Sequence, residues 1–296
     1  MVQRNIEIEN ETWTKLKLEA IKKSKNLREL AGEIIESHFN NQQQEIVTKP
    51  KAIILAAGEE NRLKPLTDDF PTCMININGK TLLERLLEAF MRHGIKDISI
   101  VKGYKKSAIK YPKMKYYYNK NYKKNKTLES LFYAEPEISG ELLVSYSDIW
   151  VDDSIIKKLL DSDEDISIVV DTDWKKRYDD RYHHPIEEAE KVIAKGGKVI
   201  KIGKMINPNM ACGEFIGLVK FSEHGAMILK KVYDQVKKKY ADKPFHTASS
   251  LEKAYITDMI QELIDRGHTV SAIDTKSGWL EIDTVEDFNI AKTVLN

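Results

Sequence analysis

Two groups of residues in this 296-residue chain have the types and spacing to handle phosphate. The first is the run Lys51-Ala-Ile-Ile-Leu55-Ala56-Ala57-Gly58-Glu59-Glu60-Asn-Arg62-Leu-Lys64-Pro65-Leu-Thr67. An apolar stretch ends there in a small-residue turn with a basic residue just beyond. Gly58 allows the backbone to turn tightly and approach phosphate oxygens, which backbone N–H groups can cradle. Arg62 adds a planar fork of donors, and Thr67 or Thr72 would add weaker ones. Neither G-x-G-x-x-G nor G-x-x-x-x-G-K-S/T is present, so a Rossmann fingerprint and a standard P-loop are both absent. Taken alone, a glycine after a strand fits an ordinary turn with a surface arginine equally well. The second group is a pair of acids far apart in the chain, Asp148 in Ser145-Tyr-Ser-Asp148-Ile-Trp150 and Asp283 in Trp279-Leu-Glu281-Ile-Asp283-Thr284. Magnesium takes oxygen ligands and often bridges a few carboxylates to phosphate. The two acids would form such a bridge if the fold joins the two strand ends; otherwise each fits a turn or a helix cap.

A third region, Asp171-Thr-Asp173-Trp174-Lys-Lys-Arg177-Tyr178-Asp-Asp-Arg181-Tyr-His183-His184-Pro185, is dense in polar and aromatic groups. Its place after a strand favours a pocket or lid. Arg177 and Arg181 can recognise a phosphate or phosphonate, and Trp174 or Tyr178 can face an ammonium head. His183 and His184 lack a zinc-ligand set nearby, so a structural or surface role is their default. Asn125-Lys-Thr127-Leu-Glu129-Ser130-Leu131 is a helix entrance that can cap itself or touch a ligand. Gly213-Glu214-Phe215-Ile216-Gly217 marks either close ligand approach or a tight strand opening.

The elements that must position these residues follow from periodicity. Positions 11–23 and 26–38 predict two short amphipathic helices, with stripes Trp13, Leu16, Ala20 and Leu30, Ile34, Ile35. Asn40 to Glu45 reads as a linker. From Lys51 onward strands and helices alternate. Strands are expected at 52–57, 97–101, 114–118, 141–145, 166–170, 198–202, 215–221, 269–273 and 279–282. Helices are expected at 81–93, 127–134, 154–160, 224–240, 250–265 and 285–295. This succession implies a three-layer α/β domain around a largely parallel sheet. The organisation is a helical extension and linker over 1–50 and one domain over 51–296.

Composition narrows the partners. Lys plus Arg number 47 and Asp plus Glu 46, so no net basic surplus points to nucleic acid. Basic runs such as Lys102–Lys106 and Lys113–Lys126 read as solvated faces or as a surface attracting an anionic substrate. With only Cys73 and Cys212, a disulfide scaffold is not expected. No segment approaches the roughly 20 apolar residues that span a bilayer, and no signal-peptide core is seen. The expectation is a soluble, cytoplasmic chain without membrane insertion, whose N-terminal extension is either a hairpin packing in a homo-oligomer or on a partner, or a remnant or mobile arm.

Leu55-Ala-Ala-Gly58-x-x-x-Arg62-Leu-x-Pro65-Leu-Thr67, with Pro71 and Asn78-Gly79-Lys80-Thr-Leu82, resembles the nucleoside-triphosphate transferase family. Members of this sugar-phosphate nucleotidyltransferase-like group attach an NMP unit to a sugar phosphate, phosphocholine or phosphonate. The family loop is usually Leu-Ala-Ala-Gly-x-Gly-x-Arg, and a later Pro-Lys pair supplies another phosphate contact. Here Glu60 stands at the second glycine and Thr72 at the lysine, with Lys64 and Lys80 as candidates to compensate. Tyr146-Ser-Asp148-Ile, Asp171-Thr-Asp-Trp174, His184-Pro, Glu188-Ala-Glu190 and Gly213-Glu-Phe-Ile-Gly217 look like the cytidylyltransferase branch associated with phosphonate biosynthesis and surface phosphoester decoration.

The resemblance implies a Rossmann-like three-layer, mostly parallel fold and Mg2+-dependent transfer of CMP from CTP to a small phosphonate or phosphorylated acceptor, with release of pyrophosphate. The leading acceptor is 2-aminoethylphosphonate. It implies metal binding by Asp148 and Asp283, with Glu281 beside them, and catalysis by these acids and Arg62. Nucleotide contacts are expected from Leu55, Ala56, Ala57, Gly58, Glu59, Arg62, Lys64 and Lys80. Acceptor contacts are expected from Asn125, Ser130, Asp173, Trp174, Arg177, Arg181, His184 and Glu214. Two alternatives stand beside this reading. One is transfer to phosphocholine or a sugar 1-phosphate; the other is a non-catalytic nucleotide or phosphoester sensor, to which Glu60 and Thr72 give physical substance.

Overall fold

The structure is a computed structural model that describes residues 9–23, 25–35, 49–179, 181–241 and 243–295. The chain divides into two compact units, Met1–Thr48 and Lys49–Asn296. In the first, α1 spans Asn10–Lys22 and α2 spans 27–35. Ala20 and Leu30 are buried, whereas Trp13, Ile34 and Ile35 of the expected stripes are exposed. The end of the second expected helix and the linker from Asn40 lie outside the described residues.

The second unit is built on β1 (Lys51–Ala56), a strand buried on both faces from Ala52 onward. Ile53 and Leu55 enter one hydrophobic layer, and Ala52, Ile54 and Ala56 the other. A strand apolar on both faces belongs in the middle of a sheet. β1 accordingly lies between β4 (Asp97–Lys102) and β6 (Leu142–Tyr146), parallel to both. The remaining strands of this sheet are β5 (Lys115–Tyr118), β8 (Ile166–Asp171), β9 (Lys191–Lys195), β10 (Lys198–Gly203), β11 (Gly213–Phe221) and β12 (Ser271–Thr275). The nine-stranded order is β5-β4-β1-β6-β11-β8-β12-β10-β9. β11 is antiparallel to both β6 and β8, so the sheet is mixed with a parallel core.

Helices cover the two faces. α3 (Leu82–Arg92) turns Leu83, Leu86, Leu87 and Phe90 into one layer, and its start is fixed by a Thr81–Glu84 capping box. α5 (Asp153–Leu160) joins it there. α6 (Glu223–Lys239) and α7 (Ile256–Asp265) cover the other face, with α4 (Thr127–Phe132). A small third core gathers Leu63, Ile75, Ile77, Leu82, Ile282 and Ala291. These come from the loop after β1, the β2–β3 hairpin (Asn76–Ile77 and Lys80–Thr81), the segment after β13 (Trp279–Glu281) and α8 (Val285–Val294).

Two differences from the sequence expectation are informative. The helix expected over 250–265 is a short turn, Leu251–Lys253, followed by α7 from Ile256. Apolar spacing continues through Leu251 and Ala254, but the carbonyls of Glu252 and Ala254 accept from Lys126 and Leu128 at the start of α4. Those acceptors are spent outside any helix of their own. β9 was not expected. It forms a hairpin with β10 through Gly196-Gly197, both at positive φ (58° and 75°), the signature of a tight two-residue turn.

Candidate active site

The loop after β1 is organised by side chains. Glu60, where the resemblance leads one to expect glycine, has an extended backbone (φ −101°, ψ 112°), so nothing there demands glycine. Its carboxylate accepts from Arg62 N at 2.9 Å and from the Arg62 guanidinium at 3.1 and 3.2 Å. Arg62 Nη2 also reaches Asp283 Oδ2 at 3.0 Å. Burial pulls the guanidinium down, but Glu60 and Asp283 outweigh it and hold Arg62 above its usual range. Leu63, fully buried, anchors the loop in the third core. At Gly58 an added Cβ would meet nothing within 4 Å, so the bare backbone opens onto the cavity beside it.

That cavity, about 610 Å³, lies beyond the ends of β1 and β6, a size suited to a small ligand. Asp148 and Asp283 both line it. β13 runs antiparallel to β7 (Ile149–Val151), setting Glu281 opposite Ile149, and Ile282 N donates to the Asp148 carbonyl at 3.0 Å. The fold thus joins the two segments. Asp283 does not cap α8. Thr284 does, its hydroxyl accepting from Asp287 N at 3.1 Å, while the Asp287 carboxylate accepts from the backbone of Asp283 and Thr284 at 3.1 and 2.9 Å. Asp283 keeps its carboxylate for Arg62 and the cavity.

Electrostatics single out the same wall. Among the described residues, four buried side-chain atoms lack a hydrogen-bond partner, and two of them, Asp148 Oδ1 and Glu214 Oε2, belong to carboxylates of this cavity. An unpaired buried polar atom is costly. Burial, then the charge of Asp283, raises the Asp148 carboxyl to about 7. Burial, then Glu281, raises Asp283 to about 7. Burial, then Glu214, raises Glu281 to about 8. Oxygen donors that repel one another and leave a lone pair unused fit a hard divalent cation. By distance alone, His184, Glu281 and Asp283 also form a possible ligand set, their donor atoms lying within 4.8 Å of one another.

Another part of the lining is built from β11 and its neighbours. Gly217 (φ 85°) is required by packing, because a Cβ would sit 2.5 Å from Cδ2 of Tyr146. Tyr146 in turn donates to Glu190 at 2.9 Å, as does Thr257 at 2.9 Å. Glu214 Oε1 accepts from Tyr178 at 2.6 Å, while burial raises its carboxyl to about 7. Asn125 and Ser130 reach the wall from the α4 entrance, linked by the buried Asn119 amide at 2.8 and 2.9 Å.

Of the eighteen residues expected to make catalytic, metal, nucleotide or acceptor contacts, twelve line the cavity: Leu55, Ala56, Ala57, Gly58, Glu59, Arg62, Asn125, Ser130, Asp148, His184, Glu214 and Asp283. Six do not, and each has a physical reason. Lys64 pairs with Glu59 at 3.2 Å and Lys80 with Glu88 of α3 at 2.7 Å. Asp173 pairs with Lys176 at 2.9 Å. Trp174 is only 2% exposed, which closes its ring to an ammonium. Arg177 donates to Asp171 at 2.5 Å and to the Trp279 carbonyl at 3.1 Å, and Arg181 to Asp287 at 2.7 Å. The arginines of this loop pin it to β8, β13 and α8. The sequence reading missed Lys123, Lys126, Lys204 and Lys253 on the cavity wall. The first two lie in the noted basic run, whereas no local pattern distinguishes Lys204, held 4.8 Å from the Tyr255 ring and 3.4 Å from Glu188.

Comparison with known proteins gives the family and the fold. The family model described as Nucleotidyl transferase matches residues 51–150. The CTP:phosphoglutamine cytidylyltransferase of Campylobacter jejuni is 32% identical over 253 residues, covering 81% of this chain and 98% of the relative. The 2-aminoethylphosphonate cytidylyltransferase of Lancefieldella rimae is 30% identical over 114 residues, 36% of this chain and 46% of the relative. The solved CTP:phosphocholine cytidylyltransferase of Streptococcus pneumoniae superposes with a TM-score of 0.64 at 22% identity, over 83% of this chain and 99% of that one, which shows a shared fold. The chain belongs to the nucleotidyl transferase family, as an enzyme of the cytidylyltransferase type.

Proposed function

We propose that the protein transfers CMP from CTP to a small phosphonate or phosphorylated acceptor bearing an N–H group, releasing pyrophosphate. One observation carries this reading: a single cavity is lined by the Gly58–Arg62 loop, the Asp148–Asp283 pair and Glu214, whose Oε2 has no hydrogen-bond partner. The acceptor oxygen, already anionic, attacks the α-phosphorus in line with the leaving pyrophosphate, so no covalent nucleophile or dedicated base is needed. Asp148 and Asp283 would hold Mg2+, which when bound screens phosphate charge and orients the two substrates. Gly58 leaves room for the nucleotide phosphates, and Arg62 donates to them in place of its Glu60 partner. Lys123 and Lys126, rather than Lys64 or Lys80, would supply the charge missing at Thr72.

The acceptor chemistry follows from Glu214. Its Oε2, buried and without a partner in the structure, would accept an N–H from a ligand that reaches it, as from the amine of 2-aminoethylphosphonate or a phosphorylated amide. The names of two of the three proteins compared above point the same way, whereas the third is named for phosphocholine. A quaternary ammonium offers no N–H, and the Trp174 ring proposed to cage one is buried. Purified protein with Mg2+ and each nucleoside triphosphate would be assayed for pyrophosphate and coupled product on 2-aminoethylphosphonate, a phosphorylated amide, phosphocholine and glucose 1-phosphate. We expect CTP and an N–H-bearing acceptor to give the highest kcat/KM. A preference for phosphocholine or glucose 1-phosphate would refute the acceptor class, and inactivity across the matrix would favour the sensor.

A further inference from the structure

We propose that Glu60 is an internal stand-in for the nucleotide phosphates: it engages Arg62 before a triphosphate enters, and by competing for that guanidinium it sets nucleotide affinity and speeds the departure of pyrophosphate. A glycine, which the resemblance leads one to expect at this position, has no group that could do this. Glu60 Oε1 accepts from Arg62 N at 2.9 Å and from Nε at 3.1 Å, and Oε2 accepts from Nη2 at 3.2 Å. One carboxylate thus takes the Nε–Nη2 edge of the fork side-on. A guanidinium binds two oxygens of a phosphate with the same edge. Nη2 continues to Asp283 Oδ2 at 3.0 Å.

The carboxylate is held where it can compete. The Glu60 backbone is extended, and its carbonyl accepts from Thr67 Oγ1 at 3.2 Å. Thr67 is buried, and its own carbonyl accepts from Tyr104 Oη at 3.0 Å. Nearby lysines are engaged by the adjacent acid instead, Lys64 at 3.2 Å and Lys123 at 3.9 Å from Glu59. Among the described residues, Arg62 is the sole partner of the Glu60 carboxylate, and Glu60 and Asp283 are the sole partners of the Arg62 guanidinium. The pair lines the cavity, with the arginine side chain 34% and the glutamate 28% exposed. An ion pair with this much access to solvent is weak enough to open for a better ligand. A triphosphate brings more charge and more oxygens than one carboxylate, so it displaces Glu60. As pyrophosphate departs, Glu60 recaptures the guanidinium. Glu60 is thus a positioning residue, reaching the substrate only through Arg62.

The role in turnover rests on the proposed function; the competition for Arg62 is tested by binding alone. Pyrophosphate would be titrated calorimetrically into the full-length protein at saturating Mg2+. Glu60→Ala should bind it about fivefold more tightly than the unsubstituted protein. Glu60→Gln, which keeps an acceptor oxygen without the charge, should fall between the two. In an Arg62→Met background the same Glu60 substitution should change affinity by less than about twofold, because the residue it acts through is gone. Equal tightening in both backgrounds would reduce Glu60 to plain charge repulsion and overturn the proposal. Weaker binding in Glu60→Ala would overturn it too, by showing that Glu60 supports the phosphate site. So would an absence of pyrophosphate binding in every variant. In kinetics, Glu60→Ala should lower the CTP KM about fivefold and make pyrophosphate a correspondingly stronger inhibitor against CTP. Inactivity with every acceptor would remove the proposed reaction and the role in turnover, while the calorimetric comparison would still decide the competition.

Discussion

Asp148 and Asp283 carry the sharpest consequence at the scale of single residues. Both carboxyls are raised to about 7 by burial and by neighbouring acids, and Glu281 to about 8. In an unfolded chain such groups titrate near pH 4. Between about pH 4 and 8 the folded protein therefore holds protons that the unfolded chain has released, so its stability falls as pH rises through that window and levels off above it. A divalent cation binding the deprotonated pair reverses the loss. Metal-free protein should show a Tm that drops between about pH 5 and pH 8, and added Mg2+ should raise Tm more at the upper end. Asp148→Asn should remove most of that Mg2+ response. A Tm indifferent to Mg2+ at every pH would contradict the metal role of the pair.

At the scale of elements, two glycines of the cavity separate ligand space from packing. Gly217 in β11 has a positive φ and gives its space to the Tyr146 ring of β6. Gly217→Ala combines backbone strain with a clash and should cost about 2–4 kcal/mol, seen as a lower denaturant midpoint at constant m. Gly58 faces open space. Gly58→Ala should leave stability within about 0.5 kcal/mol, yet raise the nucleotide KM by crowding the cradle. Equal stability losses at both positions would contradict this division. β1, α3 and β6 were legible because an apolar run of strand length and a period-3.6 apolar face are local signals. The loop between β8 and β9 was not. Arg177 and Arg181 look like ligand-binding arginines in sequence, and only the fold reveals that Asp287, 106 positions away, claims one of them. The motifs drew attention to Asp148 and Asp283, and β13 was expected, whereas β7, the three-residue strand that pairs with it, is too short to announce itself.

For the molecule as a whole, near-zero net charge conceals a strong segregation. Residues 102–126 contain ten lysines and six tyrosines, with no arginine, aspartate or glutamate. Among the described residues, Lys102, Lys105, Lys106 and Lys110 have no ion-pair partner, whereas Lys115 on the other face of β5 pairs with Asp97 and Glu137. Burial, then repulsion from Lys106 and Lys110, lowers the Lys102 ammonium, a sign of local positive potential. The same segment ends at the cavity wall with Lys123 and Lys126. Against Arg62, Lys204 and Lys253, the lining also carries Glu59, Glu60, Asp148, Glu188, Glu190, Glu214, Glu281 and Asp283, which repel a nucleoside triphosphate. Segregated lysines at the mouth would offset this repulsion and concentrate anions there, an effect that salt screens over about 8 Å at physiological ionic strength. Reversing charge at Lys105, Lys106 and Lys110, which lie outside the cavity lining, should lower nucleotide kcat/KM several-fold at low salt and leave kcat unchanged. The difference should vanish at high salt. A nucleotide kcat/KM of the unsubstituted enzyme that does not change with ionic strength would show that the lysine segment is a solvated face with no part in substrate capture.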